Sequence, residues 1–181
     1  MVRALRIGVP AGIVGGAVMA LFSMIAMLLT RSGFWLPINL IAHTFYRSAP
    51  LNGTFSAPAL VVGVAVHMTV AIIFGTAIAA LARRLPGARS LVIAGGILFI
   101  AVVWPVMQYG VWYSIDEQAA EGFTEWVMAV AHLIFGLIVA SMAAIAIADD
   151  DTVTRGRHAA GRMPAQRVPA PGSLFQPNRQ R

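Results

Sequence analysis

The stretch Leu60-Val-Val-Gly-Val-Ala-Val-His67-Met-Thr-Val-Ala-Ile-Ile-Phe74-Gly75 is apolar except for one histidine and one threonine. It lies in segment 57–81, which contains no Asp, Glu, Lys or Arg. A helix needs about 20 apolar residues to cross the hydrocarbon core of a bilayer. The stretch therefore predicts a transmembrane helix. Its histidine is a candidate functional group, because an ionisable side chain inside a membrane is costly.

Three other segments have the same character, which predicts spans at about residues 7–30, 57–81, 90–113 and 124–148. Hydrophobic residues make up 59% of the chain and charged residues 11%, whereas a soluble domain carries roughly 25% charged residues. We therefore predict an all-α fold, a four-helix transmembrane bundle over residues 1–148. The chain contains no cysteine, which excludes thiolate metal sites and cysteine nucleophiles.

The distribution of arginine predicts the topology. All 13 basic residues are arginine, and only Arg31 and Arg47 fall on one side of the predicted membrane. The positive-inside rule then places both termini in the cytoplasm, as in a multi-pass protein of a cell (inner) membrane. Because the arginines flank apolar spans, the basic surplus indicates a membrane surface and no nucleic acid.

The segments outside the spans differ in character. In the loop 31–56, residues 37–46 predict a short amphipathic helix that lies at the membrane interface. Residues 149–181 begin with three aspartates and continue rich in Arg, Pro, Ala and Gly. This composition predicts a disordered basic cytoplasmic tail, which would contact anionic lipid while the lipid bilayer surrounds the spans.

Recurring sequence elements indicate a two-fold repeat of a two-helix unit. The first and third spans each carry a diglycine, and the second and fourth each carry a histidine followed by Ile-Phe-Gly, although the spacing differs. The alternative is that any two apolar helices look alike. Small residues at Gly8, Gly12, Gly16 and Gly136 permit close helix packing. They leave open whether helices of one chain, a homo-oligomer or a larger membrane complex are joined.

His67 and His132 are the candidate cofactor-binding residues. Each lies eight or nine residues from the same end of its predicted span, so at 1.5 Å per residue both lie roughly 12–14 Å below the outer edge. The pair would suit haem b or a metal ion, or a proton relay. We favour a structural interpretation, in which each histidine bonds a neighbouring carbonyl or hydroxyl, because two histidines alone are weak evidence for a ligand set.

Further residues are expected to line a pocket with the histidines. Phe74 and Gly136 share a helix face with His67 and His132 respectively. Trp104-Pro105 predicts a kink in the third span, and Gln108 and Tyr109 follow it. Acidic residues of the outer loop, Asp116 among them, could collect cations together with His43, but we favour salt bridges to Arg31 and Arg47, or plain solvation.

The order of these motifs resembles a bacterial family of small four-span integral membrane proteins known only as a domain of unknown function, distantly similar to YagU-type inner-membrane proteins. The matching elements are Ala11-Gly-Ile-Val-Gly-Gly-Ala-Val-Met19, Gly63 to His67 with Phe74-Gly75, Trp104-Pro-Val-Met107 and Ala131-His-Leu-Ile-Phe-Gly136. The resemblance covers about residues 8–147. It implies the four-helix architecture and no particular activity.

Three functions are consistent with the sequence. The first is a non-enzymatic structural or accessory membrane subunit of unknown activity. The second is a haem- or metal-binding membrane protein that uses His67 and His132. The third is a small channel or transporter with a polar path past these residues. We favour the first, because the sequence contains no recognised cofactor motif and few polar residues within the spans.

Overall fold

A computed structural model describes residues 2–84 and 89–161, with side chains through residue 148. The elements, in chain order, are α1 (Val2–Leu29), α2 (Leu36–His43), α3 (Ala57–Ala82), α4 (Arg89–Pro105), a π-helical segment (Val106–Trp112), α5 (Tyr113–Ile115), α6 (Glu117–Gly122) and α7 (Glu125–Gly161). Within these described ranges every regular element is helical, which confirms the predicted all-α fold class.

Within residues 2–84 and 89–161, four helices are long and apolar enough to span a membrane, and this number agrees with the sequence prediction. They are Val2–Leu29, Ala57–Ala82, Arg89–Ile115 and Glu125–Ala148. Each predicted span lies within five residues of these bounds at both ends. Length and hydropathy therefore indicate a multi-pass membrane protein.

Helices α1 and α3 pack with their backbones in direct contact. A methyl group built at Gly12 would lie 2.6 Å from the carbonyl oxygen of Ala71, and one at Gly75 would lie 2.6 Å from the carbonyl oxygen of Gly8. Only glycine allows this approach, because any side chain at these positions would overlap the facing backbone. The small-residue ridge of α1 thus joins two helices of the same chain.

The diglycine of α1 places this helix between two neighbours. Gly16 faces Ala71 of α3, whereas the adjacent Gly15 faces Phe135 and Val139 of α7. On its other side, α7 meets α4, where Gly96 lies against the methyl group of Ala140. One buried apolar cluster accordingly combines residues of all four long helices: Ala11, Ala71, Ile78, Ile100, Phe135, Val139 and Ala140.

The third long helix changes its winding at Pro105. Proline has no N–H group to donate to the carbonyl four residues earlier, which disturbs the α-helical ladder at this point. A π-helical segment, which has wider turns than an α-helix, follows from Val106 to Trp112. The kink predicted at Trp104-Pro105 therefore takes the form of a local change of helix type.

Short helices α2 and α6 lie together at one end of the four long helices, and we call this region the α2–α6 end. Helix α2 contacts α1, α3 and α6, and seven of its eight residues are buried. The sequence predicted a helix here, and its position at the membrane interface stays a prediction. The structure encloses the helix within the protein: Leu36 and Leu40 lie on one face and Ile38 on the opposite face, and all three are buried.

The C-terminal part of α7 differs from the sequence prediction in length. The compact unit formed by the long helices ends at Ile147, close to the predicted boundary at residue 148. The helix itself continues to Gly161, and residues 149–161 contain no proline that would end it. Residues 162–181, the larger part of the predicted disordered tail, lie outside the described residues, and their disorder stays a prediction.

Candidate functional site

A cavity of about 230 Å³ lies between the long helices in the half of the molecule nearer the α2–α6 end. Residues of α1, α2, α3, α4, the π-helical segment and α7 line it, and none of the lining residues is charged. Its aromatic lining includes Phe74, Trp104, Trp112, Phe123 and Phe135. Ligand sites in proteins share this composition, an apolar pocket with a few polar groups that orient the ligand.

His67 reaches the cavity from α3 and is anchored by α1. Its Nε2 atom lies 2.9 Å from the carbonyl oxygen of Gly16. A carbonyl oxygen can only accept a hydrogen bond, so Nε2 must carry the proton. In the uncharged imidazole, which a membrane interior favours, Nδ1 of His67 is then a bare acceptor.

His132 reaches the same cavity from α7 but is anchored within its own helix. Its Nδ1 atom lies 2.7 Å from the carbonyl oxygen of Met128, one turn earlier. By the same argument Nδ1 carries the proton and Nε2 is the bare acceptor. The two histidines therefore have opposite tautomers, and each presents one unprotonated nitrogen.

The two imidazoles line one cavity. Among the described residues, four buried side-chain atoms have no hydrogen-bond partner: Thr44 Oγ1, Thr76 Oγ1, Trp104 Nε1 and Trp112 Nε1. The bare nitrogens of His67 and His132 are unpaired as well but are not among these enclosed atoms. They are therefore not fully enclosed, and they belong to side chains that line the apolar cavity.

The other residues expected to line a pocket divide into two pairs. Phe74 and Gln108 line the cavity with the histidines, and Nε2 of Gln108 donates to the carbonyl oxygen of Ala120 at 3.0 Å. Tyr109 lies elsewhere, with its hydroxyl donating to Glu125 at 2.8 Å. Gly136 faces Ile100 and Gly96 of α4, so it serves helix packing.

A second polar cluster, which we call the clasp, joins α2 to α6 at the α2–α6 end. Oδ2 of Asp116 lies 2.7 Å from Nδ1 of His43, and Oδ1 lies 2.8 Å from the guanidinium of Arg47. The backbone N–H of Ala119 also donates to Oδ1, which makes Asp116 the N-cap of α6. The predicted salt bridge with Arg47 is thus present. His43, 73 residues away in sequence, was grouped with the acidic residues only as a joint cation collector, and its direct pairing with Asp116 was not predicted.

The clasp controls the ionisation of its carboxylate. Burial by itself raises the pKa of Asp116. The hydrogen bonds from His43 and from the backbone of Ala119, with the charges of His43 and Arg47, outweigh burial and hold the pKa below its ordinary value of 3.8. Asp116 is therefore ionised at neutral pH, and its negative charge lies outside the cavity, whose lining contains no charged residue.

Metal-ligating side chains are sparse in the described part of the chain. Residues 2–84 and 89–148 contain no group of three or more His, Cys, Asp or Glu side chains arranged to hold a metal ion. Thioethers of Met19, Met107 and Met128 do line the cavity with the two histidines. Any metal at this site would need a ligand set of imidazole and thioether groups.

These features define a class, a multi-pass membrane protein with a partly open apolar cavity that two imidazoles line. Residues 2–153 match a family of unknown function, DUF6789, and because the match covers most of the chain, the protein belongs to this family. Comparison with curated proteins and with solved structures found no match.

Proposed function

We propose that the protein is a non-enzymatic accessory membrane protein whose cavity binds a small, mainly apolar ligand, with His67 and His132 as its polar contacts. The cavity itself is the observation that carries this proposal. An engineered apolar cavity of about 150 Å³ is large enough to bind benzene. At about 230 Å³, the present cavity has room for a substituted ring.

The hydrogen bonds of the site support binding without catalysis. In the described residues no histidine contacts a serine or threonine hydroxyl, the pairing that activates a nucleophile. Ser23, which lines the cavity, donates its hydroxyl proton to the carbonyl oxygen of Met19 in its own helix. The uncharged lining also argues against an ion channel through this cavity, because ion pathways use charged rings or converging carbonyls.

Binding of tetramethylbenzene, an apolar ring, tests the proposal. Purified protein in lipid nanodiscs is titrated with this compound, and the thermal midpoint is followed. A ligand that binds only the folded state stabilises it by about 2.7 kcal/mol at a hundredfold excess over Kd. We therefore expect the midpoint to rise with ligand concentration.

Two valine-to-phenylalanine variants of α3 separate the cavity from the lipid-facing surface. Val70 lines the cavity, whereas the side chain of Val61 is 69% exposed on the same helix. Val70→Phe fills the cavity and should abolish the stabilisation, and Val61→Phe should keep it. Equal responses of the two variants, or no response of the unmodified protein, would contradict the proposal.

A metal ion is the second candidate ligand, as the sequence suggested. Metal-ligating histidines usually donate their other N–H to a carbonyl or carboxylate, and both histidines here do so. Imidazole with thioether ligands suits Cu(I). Haem b is a poorer candidate, because a porphyrin is several times the size of benzene, whereas the cavity of about 230 Å³ has room for one substituted ring. Metal analysis after incubation with Cu(I), with an absorption spectrum of the purified protein, tests both; protein free of metal and of a Soret band contradicts them.

We further propose that the long helices form a transmembrane bundle in a bacterial inner membrane, with both termini cytoplasmic. The arginine asymmetry supports the orientation, and the motif order supports the likeness to YagU-type proteins. The basic tail would contact anionic lipid, and the bundle would associate with itself or with a larger complex. Because the chain lacks cysteine, Ser48→Cys and Arg84→Cys can be labelled singly. Labelling of both from the same side would contradict the orientation.

A further inference from the structure

The polar groups that a ligand can reach in the cavity are hydrogen-bond acceptors. The N–H groups of both histidines are used in bonds to the carbonyl oxygens of Gly16 and Met128. Nδ1 of His67 and Nε2 of His132 remain as lone pairs without a protein donor. A lone pair in apolar surroundings is satisfied only by a donor on the ligand.

Three other hydrogen-bond donors among the lining residues lie out of reach of a ligand. The indole N–H groups of Trp104 and Trp112 and the hydroxyl of Thr44 have no partner, but each is fully enclosed by protein atoms. A ligand in the cavity could meet them only after these side chains moved. Gln108 uses one of its two N–H groups on the carbonyl oxygen of Ala120, so two acceptors stand against one remaining donor, and the site favours ligands that donate.

The residues that line the cavity indicate which kind of molecule carries the hydrogen-bond donor. Aromatic side chains surround the space, and rings gain edge-to-face and offset contacts from such walls beyond the area they bury. An aromatic hydroxyl is also a stronger donor than an aliphatic one, because its oxygen is more acidic. Two separate acceptors match a ring with two hydroxyl groups.

We propose that the cavity recognises an aromatic ring bearing hydroxyl donors, of the hydroquinone class, and binds it in preference to the oxidised quinone. Nδ1 of His67 and Nε2 of His132 accept its hydroxyl protons as hydrogen bonds, and no bond is formed or broken. This inference rests on the proposed function and specifies the ligand class of the same site.

Three probes with one carbon skeleton test the inference. Tetramethylbenzene has no oxygen, tetramethylbenzoquinone has two acceptors, and tetramethylhydroquinone has two donors. Their dissociation constants are measured on the full chain in nanodiscs, anaerobically and with excess dithionite for the hydroquinone. With net gains of about 1 kcal/mol for each hydrogen bond, the hydroquinone should bind at least roughly tenfold more tightly than the quinone or the hydrocarbon.

A histidine variant shows whether the preference comes from the named nitrogen atoms. His132→Leu removes one acceptor at nearly constant volume, and since His132 bonds only its own helix, the helix contacts stay intact. It should reduce hydroquinone affinity about three- to tenfold and leave tetramethylbenzene affinity unchanged. His67→Leu should act in the same direction, with tetramethylbenzene binding as the check that the cavity has survived.

The outcomes separate this inference from the proposed function. Equal affinity for all three probes, with the response still lost in Val70→Phe, overturns the hydroquinone preference and keeps the apolar site. Tightest binding of the quinone overturns the preference too, because it would mean that donors of the lining meet the ligand. Failure of every probe to bind in a Val70-dependent way overturns both.

Discussion

The two pairs of long helices, α1 with α3 and α4 with α7, carry similar sequence elements and use them differently. In the first pair the backbones touch, since a methyl at Gly12 would lie 2.6 Å from the carbonyl oxygen of Ala71. In the second pair the contact at Gly96 is with the methyl side chain of Ala140, and a methyl at Gly136 would lie 3.2 Å from Cβ of Ile100. A shared small-residue motif therefore does not imply a shared distance between helices.

The histidines show the same difference. His67 bonds to the other helix of its pair, at Gly16, and so ties α1 to α3. His132 bonds to the carbonyl oxygen of Met128, one turn earlier in its own helix, so this bond connects no two helices. In the first pair the histidine therefore adds a hydrogen bond between helices, whereas in the second pair it adds none. Both bare nitrogens nevertheless belong to side chains that line one cavity.

The clasp connects the two halves of the chain at the α2–α6 end, and its removal should have the largest effect. Asp116→Asn leaves His43 buried without its anionic partner and takes the counter-ion from Arg47. Removing one member of a buried ion pair destabilises by about 3–5 kcal/mol, and the exposed Arg47 places this case at the lower end. We expect a lower thermal midpoint and faster proteolysis at the loops around α2 and α6. An unchanged midpoint would show that the halves hold together without the clasp.

The pH dependence of stability provides the control for that variant. Because the folded-state pKa of Asp116 lies below its ordinary value of 3.8, its stabilising contribution is complete above about pH 4 and is lost as the pH falls through the folded pKa. Unmodified protein should therefore lose this increment on acidification, and Asp116→Asn should lack that part of the acid transition. Parallel acid curves for the two proteins would contradict the assignment.

Alanine at three glycines tests the difference between the helix pairs. Gly12→Ala drives a methyl into backbone and should cost about 1–3 kcal/mol. Gly136→Ala places its methyl 3.2 Å from Cβ of Ile100 and 3.3 Å from the carbonyl oxygen of Gly96, tight contacts without overlap, and should cost less than about 1 kcal/mol. Gly110, with nothing within 4 Å, is the matched control and should show no loss. Thermal unfolding in one detergent gives the ranking, and equal losses at positions 12 and 136 would remove the distinction.

Leucine at each histidine should give the smallest effects on stability. His67→Leu loses a bond between helices, and such bonds in membrane proteins average about 0.6 kcal/mol. His132→Leu should cost less, since the Met128 carbonyl lies within a helix and keeps its backbone partner. Thermal midpoints of the two variants check this order, and a larger loss at His132 would reverse the assigned roles.

Hydropathy predicted the four long helices well, because the requirement to span hydrocarbon acts on each segment separately. The sequence also located the change of helix type at Pro105, because this change depends on a single residue. The short helix at 37–46 was predicted as a helix but not as an enclosed one. Enclosure depends on α3 and α6, which a local pattern does not contain.

The site was predictable only in part for the same reason. Phe74 and Gln108 were expected at the cavity and lie there, whereas Tyr109 instead meets Glu125. The wider turn of the π-helical segment changes which neighbours share a face, and no α-helical register anticipates that. The pairing of His43 with Asp116 joins distant parts of the chain. The only sequence signal for it was that a basic and an acidic side chain lie in loops on the same side of the predicted membrane.

The central claim is that both histidines hold their protons away from the cavity and offer it one bare nitrogen each. Nitrogen-15 NMR of histidine-labelled protein in nanodiscs near pH 8 measures this directly, with His67→Leu and His132→Leu used for assignment. We predict the Nε2–H tautomer for His67 and the Nδ1–H tautomer for His132, each with one unprotonated ring nitrogen. The same tautomer at both positions, or two protonated nitrogens on either ring, would contradict the claim.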